Sequence, residues 1–197
     1  AGVKDLFRQY VSEKQLGNQV LFIPTAGNVE EYRGYIDEAL QAFADLGFQV
    51  EVLDIAASDR ETAQAKIFQS KLLYISGGNT FYLLQELKKK ELLFLIKEQI
   101  ADGMVYVGES AGAVITAENI DYIRLMDDKE VAGELSDTVA LQEADFYLLP
   151  HVGEEPFAES AQAILDTYGA KLNLLPLNNR QAVLLEDEEV KVLVENK

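Results

Sequence analysis

Short apolar runs of strand length alternate along this chain with segments whose apolar residues recur at helical spacing. That alternation restricts the fold more than any other feature, because it is the pattern of a parallel sheet covered by helices on both faces. Val20-Leu21-Phe22-Ile23-Pro24 reads as a first strand, followed by a turn at Thr25-Ala26-Gly27-Asn28. A helix is expected from Glu30 to Leu46, with Tyr35, Ile36, Leu40, Phe43 and Leu46 near one face and Gly47 as its C-terminal stop. Val50 to Ile55 is a second strand, and Ser58 or Asp59 caps a short helix through Ile67. Leu72 to Ser76 is the third strand, ending at Gly77-Gly78, with helices from Asn79 towards Lys88 and from Glu91 to Ala101. Val105-Tyr106-Val107 and Asp145 to Leu149 complete a five-strand reading. Ala182 to Leu185 and Val190 to Val194 read as a C-terminal β-hairpin at a sheet edge. The fold class is therefore α/β, a mostly parallel sheet with helices on both faces, and residues 1–197 read as one domain. Met126 to Glu143 is acidic and weakly periodic, a long surface loop of the kind that often carries function.

Composition narrows the chemistry. The chain has no cysteine, which removes disulfides, thiolate metal sites and cysteine nucleophiles together. It has a single histidine, His151, so any mechanism that needs an imidazole must use that one and no histidine-rich metal site can form. The formal charge of -17 sets a field that repels phosphate backbones and anionic membranes, so neither nucleic acid nor membrane is an expected partner. The longest apolar stretch, around Leu92 to Ile96, is far short of a membrane span, and Ala-Gly-Val-Lys-Asp is not a signal peptide; a cytoplasmic location is expected.

In open parallel sheets ligands bind beyond the carboxyl ends of the strands. Gly77-Gly78-Asn79-Thr80, Gly108 to Gly112 and Pro150-His151 all sit at such ends. Gly108-Glu109-Ser110-Ala111-Gly112 fits G-x-S-x-G between a strand and a helix, the arrangement that exposes a nucleophilic serine on a strained turn. Ser110 needs a base, and His151 is available for it. The amides of Gly78 and Ala111 are candidate oxyanion donors. Between Ser110 and His151, an acid to orient the imidazole could come from Asp121, Asp127, Asp128, Glu130, Glu134 or Asp137. The bland alternatives are a glycine-rich strand-to-helix turn that only packs well and a histidine that is merely solvated.

Y-I-S-G-G-N-T-F-Y-L-L (Tyr74 to Leu84), G-E-S-A-G-A (Gly108 to Ala113), L-P-H (Leu149 to His151) and F-I-P-T-A (Phe22 to Ala26), in that order, resemble the dipeptidase E, or aspartyl dipeptidase, family. That family is related to cyanophycinase and shares the class I glutamine amidotransferase-like fold, with serine in place of cysteine. The resemblance covers Val20 to about Phe157. It implies a Ser-His-Asp peptidase, working without cofactor or metal, that removes N-terminal aspartate from small peptides as a monomer or homodimer. Ser110 and His151 carry over directly; the acid falls on Asp127, with Asp128 as the alternative. The chain departs from the family in carrying Glu109 where an aromatic residue is usual, and in lacking the strand that usually precedes the first helix, so a few N-terminal residues are expected to be missing.

Substrate contacts are expected from Asn79 and Thr80, with Glu109 at the free amine and a cation, Arg124, Lys129 or Arg180, at the side-chain carboxylate. An esterase of the same Ser-acid-His order and a non-catalytic small-ligand protein are the competing readings.

Overall fold

The computed structural model describes residues 4–187 and 189–194. Helix α1 (Lys4–Glu13) precedes strand β1 (Gln19–Ile23), helix α2 (Gly34–Asp45), strand β2 (Gln49–Val52), helix α3 (Arg60–Gln69) and strand β3 (Leu72–Ile75). Helices α4 (Thr80–Lys89) and α5 (Leu93–Ala101) follow, then strand β4 (Val105–Gly108) and the one-turn helix α6 (Ala111–Val114). After a long irregular stretch come β5 (Tyr147–Leu149), α7 (Ala158–Tyr168), β6 (Leu174–Pro176), β7 (Gln181–Glu186) and β8 (Glu189–Val194).

The central sheet is parallel, in the order β2-β1-β3-β4. Alternate side chains of its inner strands divide between two cores, as the pleat requires. Val20 and Phe22 of β1 and Leu72 of β3 join Val11 of α1 and Ile36 and Phe43 of α2 on one face. Leu21, Ile23, Leu73 and Ile75 face the other way, into the core built with α3, α4, α5 and α6. Both faces are thus buried, which is why these strands read as unbroken apolar runs.

Three departures from the sequence reading have local causes. Helix α2 begins at Gly34 rather than Glu30, because Glu30 leaves the preceding Thr25–Val29 turn in an extended conformation, φ -92° and ψ 140°. Thr25 Oγ1 and Asn28 Nδ2 both donate to Asp54 at 3.0 Å, and the Ile55 amide donates to Thr25 Oγ1 at 2.8 Å. Such long-range bonds outweigh weak helix propensity. Strand β5 does not extend the central sheet; it pairs in parallel with β6, a strand too short to stand out in the sequence. The C-terminal hairpin is present, antiparallel from Gln181–Val194 to Glu186–Glu189, but it forms its own two-stranded ladder.

The acidic stretch after Met126 is ordered along α4. Glu134 donates its amide to Gln85, Lys89 pairs with Glu134, Lys88 pairs with Asp137, and Lys97 reaches the Leu141 and Gln142 carbonyls. Exposed pairs of this kind contribute at most about 1 kcal/mol each, so they guide the segment more than they stabilise it. No helix among the described residues is long and apolar enough to cross a membrane.

Candidate active site

Strand β4 ends in the turn that the glycine-serine motif foretold, and the contacts explain its glycines. A Cβ on Gly108 would lie 2.4 Å from the Gly112 carbonyl, and one on Gly112 would lie 2.2 Å from the Ile75 carbonyl oxygen. Only glycine fits at either position. Between them Ser110 adopts φ 46° and ψ -108°, a left-handed conformation unusual for a residue with a side chain. The Ser110 carbonyl accepts from the Ala113 and Val114 amides at 2.9 Å, locking the start of α6.

His151 sits just beyond β5, itself at φ 60°. Its Nε2 lies 2.9 Å from Ser110 Oγ, and its Nδ1 lies 2.6 Å from Asn179 Oδ1. With Asn179 Oδ1 as acceptor, the ring proton is on Nδ1 and the Nε2 lone pair faces the serine hydroxyl, the tautomer a general base requires. Phe157 stacks on the imidazole at 4.8 Å between centroids, fixing the ring plane. The loop bearing Asn179 is pinned to the end of β5: Leu177 donates to the Leu149 carbonyl and Val152 to the Leu177 carbonyl.

The Gly77–Gly78 turn packs on Ser110, and a Cβ at Gly77 would lie only 3.3 Å from Ser110 Cβ. Gly78 has φ +129°, and its would-be Cβ meets the Ala26 carbonyl at 2.3 Å. Among the described residues, neither the Gly78 nor the Ala111 amide donates to a backbone carbonyl. Two free amides beside a serine hydroxyl are suited to an oxyanion.

The expected acid is a correction. Neither Asp127 nor Asp128 touches His151; Asn179 occupies that place. Asp127 Oδ2 accepts from the Thr80 amide at 2.8 Å, and Asp128 Oδ1 accepts from the Glu130 amide at 2.8 Å. The Asp127 residue is half-buried, and burial pushes its pKa up to about 6 despite the Thr80 bonds that oppose the shift. Asn179 lies beyond His151 in the chain, outside the Ser110–His151 interval in which an orienting acid is expected, and it is an amide, not an acid. The usable signal was a polar Asn178-Asn179-Arg180 stretch ahead of the hairpin, at the end of a strand only three residues long.

The expected substrate contacts are largely committed to the fold. Asn79 caps α4 by accepting from the Tyr82 amide, and its Nδ2 donates to the Asp128 carbonyl. Thr80 is buried at 1% exposure. Glu109 accepts from the Tyr74 hydroxyl at 2.8 Å and from the Gly77 amide at 3.4 Å; burial, with the Glu109 charge, raises the pKa of that phenol. Arg124 pairs with Asp121, and the Lys129 ammonium lies over the Phe81 ring. Arg180 is exposed beside Asn179. The Tyr35 ring lies beside Gly77, and its hydroxyl is buried without a hydrogen-bond partner, its pKa raised to about 12 by burial and by Glu30. Among the described residues no cluster of three or more His, Asp or Glu could hold a metal ion.

Residues 2–193 match peptidase family S51. An uncharacterized peptidase of Pasteurella multocida (strain Pm70) is 43% identical over 188 residues, 95% of this chain and 90% of that protein. A peptidase E of Shewanella amazonensis is 34% identical over 131 residues, 66% of this chain and 52% of that protein. The solved structure of a candidate peptidase E from Listeria monocytogenes EGD-e superposes with a TM-score of 0.90 at 40% identity, covering 98% of this chain and 95% of that one. The match takes in the sheet, the serine turn and the histidine loop as one continuous unit, and on that extent the chain belongs to peptidase family S51.

Proposed function

We propose that this protein is a serine peptidase that removes an N-terminal aspartate from small peptides, with Ser110 as nucleophile, His151 as base and Asn179 orienting the imidazole. The observation that carries the reading is the 2.9 Å contact between Ser110 Oγ and His151 Nε2 at a strained strand-to-helix turn. His151 Nε2 takes the hydroxyl proton as Ser110 Oγ attacks the scissile carbonyl carbon. The oxyanion is received by the Gly78 and Ala111 amides, and losing one such donor costs about 10²–10³ in rate. His151 then gives its proton to the leaving amine. Water, deprotonated by the same imidazole, releases the aspartyl group from Ser110. Asn179 holds the ring as a carboxylate would but adds no charge to balance the imidazolium.

Arg180 remains the cation assigned to the substrate carboxylate, since it is exposed directly beside Asn179. Hydrolysis of Asp-Leu, compared with Leu-Leu, Glu-Leu and the β-aspartyl isomer, tests the proposal. Preferential turnover of Asp-Leu, abolished in folded Ser110→Ala and His151→Ala, is the expected result. Turnover of p-nitrophenyl esters with no cleavage of any dipeptide would replace the peptidase with an esterase.

A further inference from the structure

The aspartate that the family resemblance would pair with His151 is engaged elsewhere, and its contacts give it another task. Asp127 Oδ2 accepts from the Thr80 amide, and the next carbonyl, that of Asp128, accepts from Asn79 Nδ2, both at 2.8 Å. These bonds grip the two residues that follow Gly78. From the opposite side the Ala26 carbonyl accepts from the Asn79 amide at 2.9 Å, and the Gly78 backbone abuts that same carbonyl. Gly78 itself has no side chain, a φ of +129°, and an amide that donates to no backbone carbonyl among the described residues. A peptide unit of that kind is held only by what fixes its neighbours. Asp127, Asp128 and Ala26 are those fixtures.

We infer that Asp127 is a positioning residue for the oxyanion site: it fixes the Gly78 amide through Thr80 and Asn79, and it does not act on His151. The inference rests on the serine peptidase reading above. It requires a hydrogen-bond acceptor at position 127, not a negative charge. A partner of the imidazolium, by contrast, works through its charge.

Labelling of Ser110 by a fluorophosphonate measures acylation of the serine whatever peptide the enzyme prefers. The single histidine supplies its own NMR titration. Asp127→Ala is expected to slow labelling by about tenfold or more, and Asp127→Asn, which retains an acceptor, to restore most of that rate. Asn79→Ser keeps the helix cap through its hydroxyl but loses the tie to Asp128; it is expected to slow labelling in the same way. That variant also carries the test if Asp127→Ala fails to fold. His151 is expected to titrate at the same pH in every variant. Equal loss in Asp127→Asn and Asp127→Ala, with a lowered His151 midpoint, would make Asp127 the imidazole partner and overturn the inference. Unchanged labelling in both Asp127→Ala and Asn79→Ser would overturn it as well, while leaving the peptidase reading intact. A wild-type protein that neither takes the label nor cleaves any peptide removes both.

Discussion

Ser110 holds a conformation that its side chain disfavours, and it does so because the chain on both sides is pinned by contacts only glycine permits. The imidazole that faces it, that of His151, is held by the Asn179 amide. Placing a carboxylate there adds a charge that balances the imidazolium, so Asn179→Asp is expected to move the acid limb of kcat/KM to higher pH. pH–rate profiles of the variant beside the unaltered protein check it. Removing the contact in Asn179→Ala is expected to lower kcat about 10- to 100-fold, the range for a lost hydrogen bond to a charged group. A second residue-scale consequence concerns Asp127. Its folded pKa, about 6, lies above the usual carboxylate value, so the folded chain binds this proton more tightly than the unfolded one. Stability from this group is therefore lost as pH rises from about 4 to 6, by about 3 kcal/mol at neutral pH. Asp127→Asn is expected to raise the urea midpoint at pH 7.5, with the advantage disappearing near pH 4.

At the scale of elements, the serine turn joins β3, β4 and α6 into one unit. Gly112 lies against the Ile75 carbonyl, a backbone atom that cannot swing aside. Gly112→Ala is expected to cost about 1–3 kcal/mol or more, read as a lower urea midpoint, and to abolish fluorophosphonate labelling by displacing Ser110. The strands and most helices were legible because apolar period reports burial directly: β1 and β3 are apolar at every position facing either core. The start of α2 was not, because Glu30 leaves the Thr25–Val29 turn in an extended conformation, and that turn is anchored by Asp54, distant in sequence. Nor was the partner of β5, since a strand's composition records that it is buried and not which neighbour buries it.

Over the whole molecule, the charge of -17 far exceeds what the described ion pairs balance. Self-repulsion acts at longer range than those pairs and is screened more completely by salt. Thermal stability is therefore expected to rise between about 10 mM and 500 mM NaCl, as the Debye length falls from about 30 Å to about 4 Å. Calorimetry at the two concentrations checks it, and a fall would mean that the pairs along α4 dominate.

The sequence by itself determined the α/β class, the serine on its turn, and which imidazole could face that serine. The first follows from periodicity, the second from a local motif with steric demands, and the third from there being one histidine. What oriented that histidine was decided only by the tertiary structure. Asn179 follows His151 by 28 residues and meets it because β5 and β6 pair in parallel, ending side by side. Asp127, nearer in the chain, is drawn to the start of α4 instead. Contacts between strand ends depend on which strands pair, and no local pattern of residues records that choice.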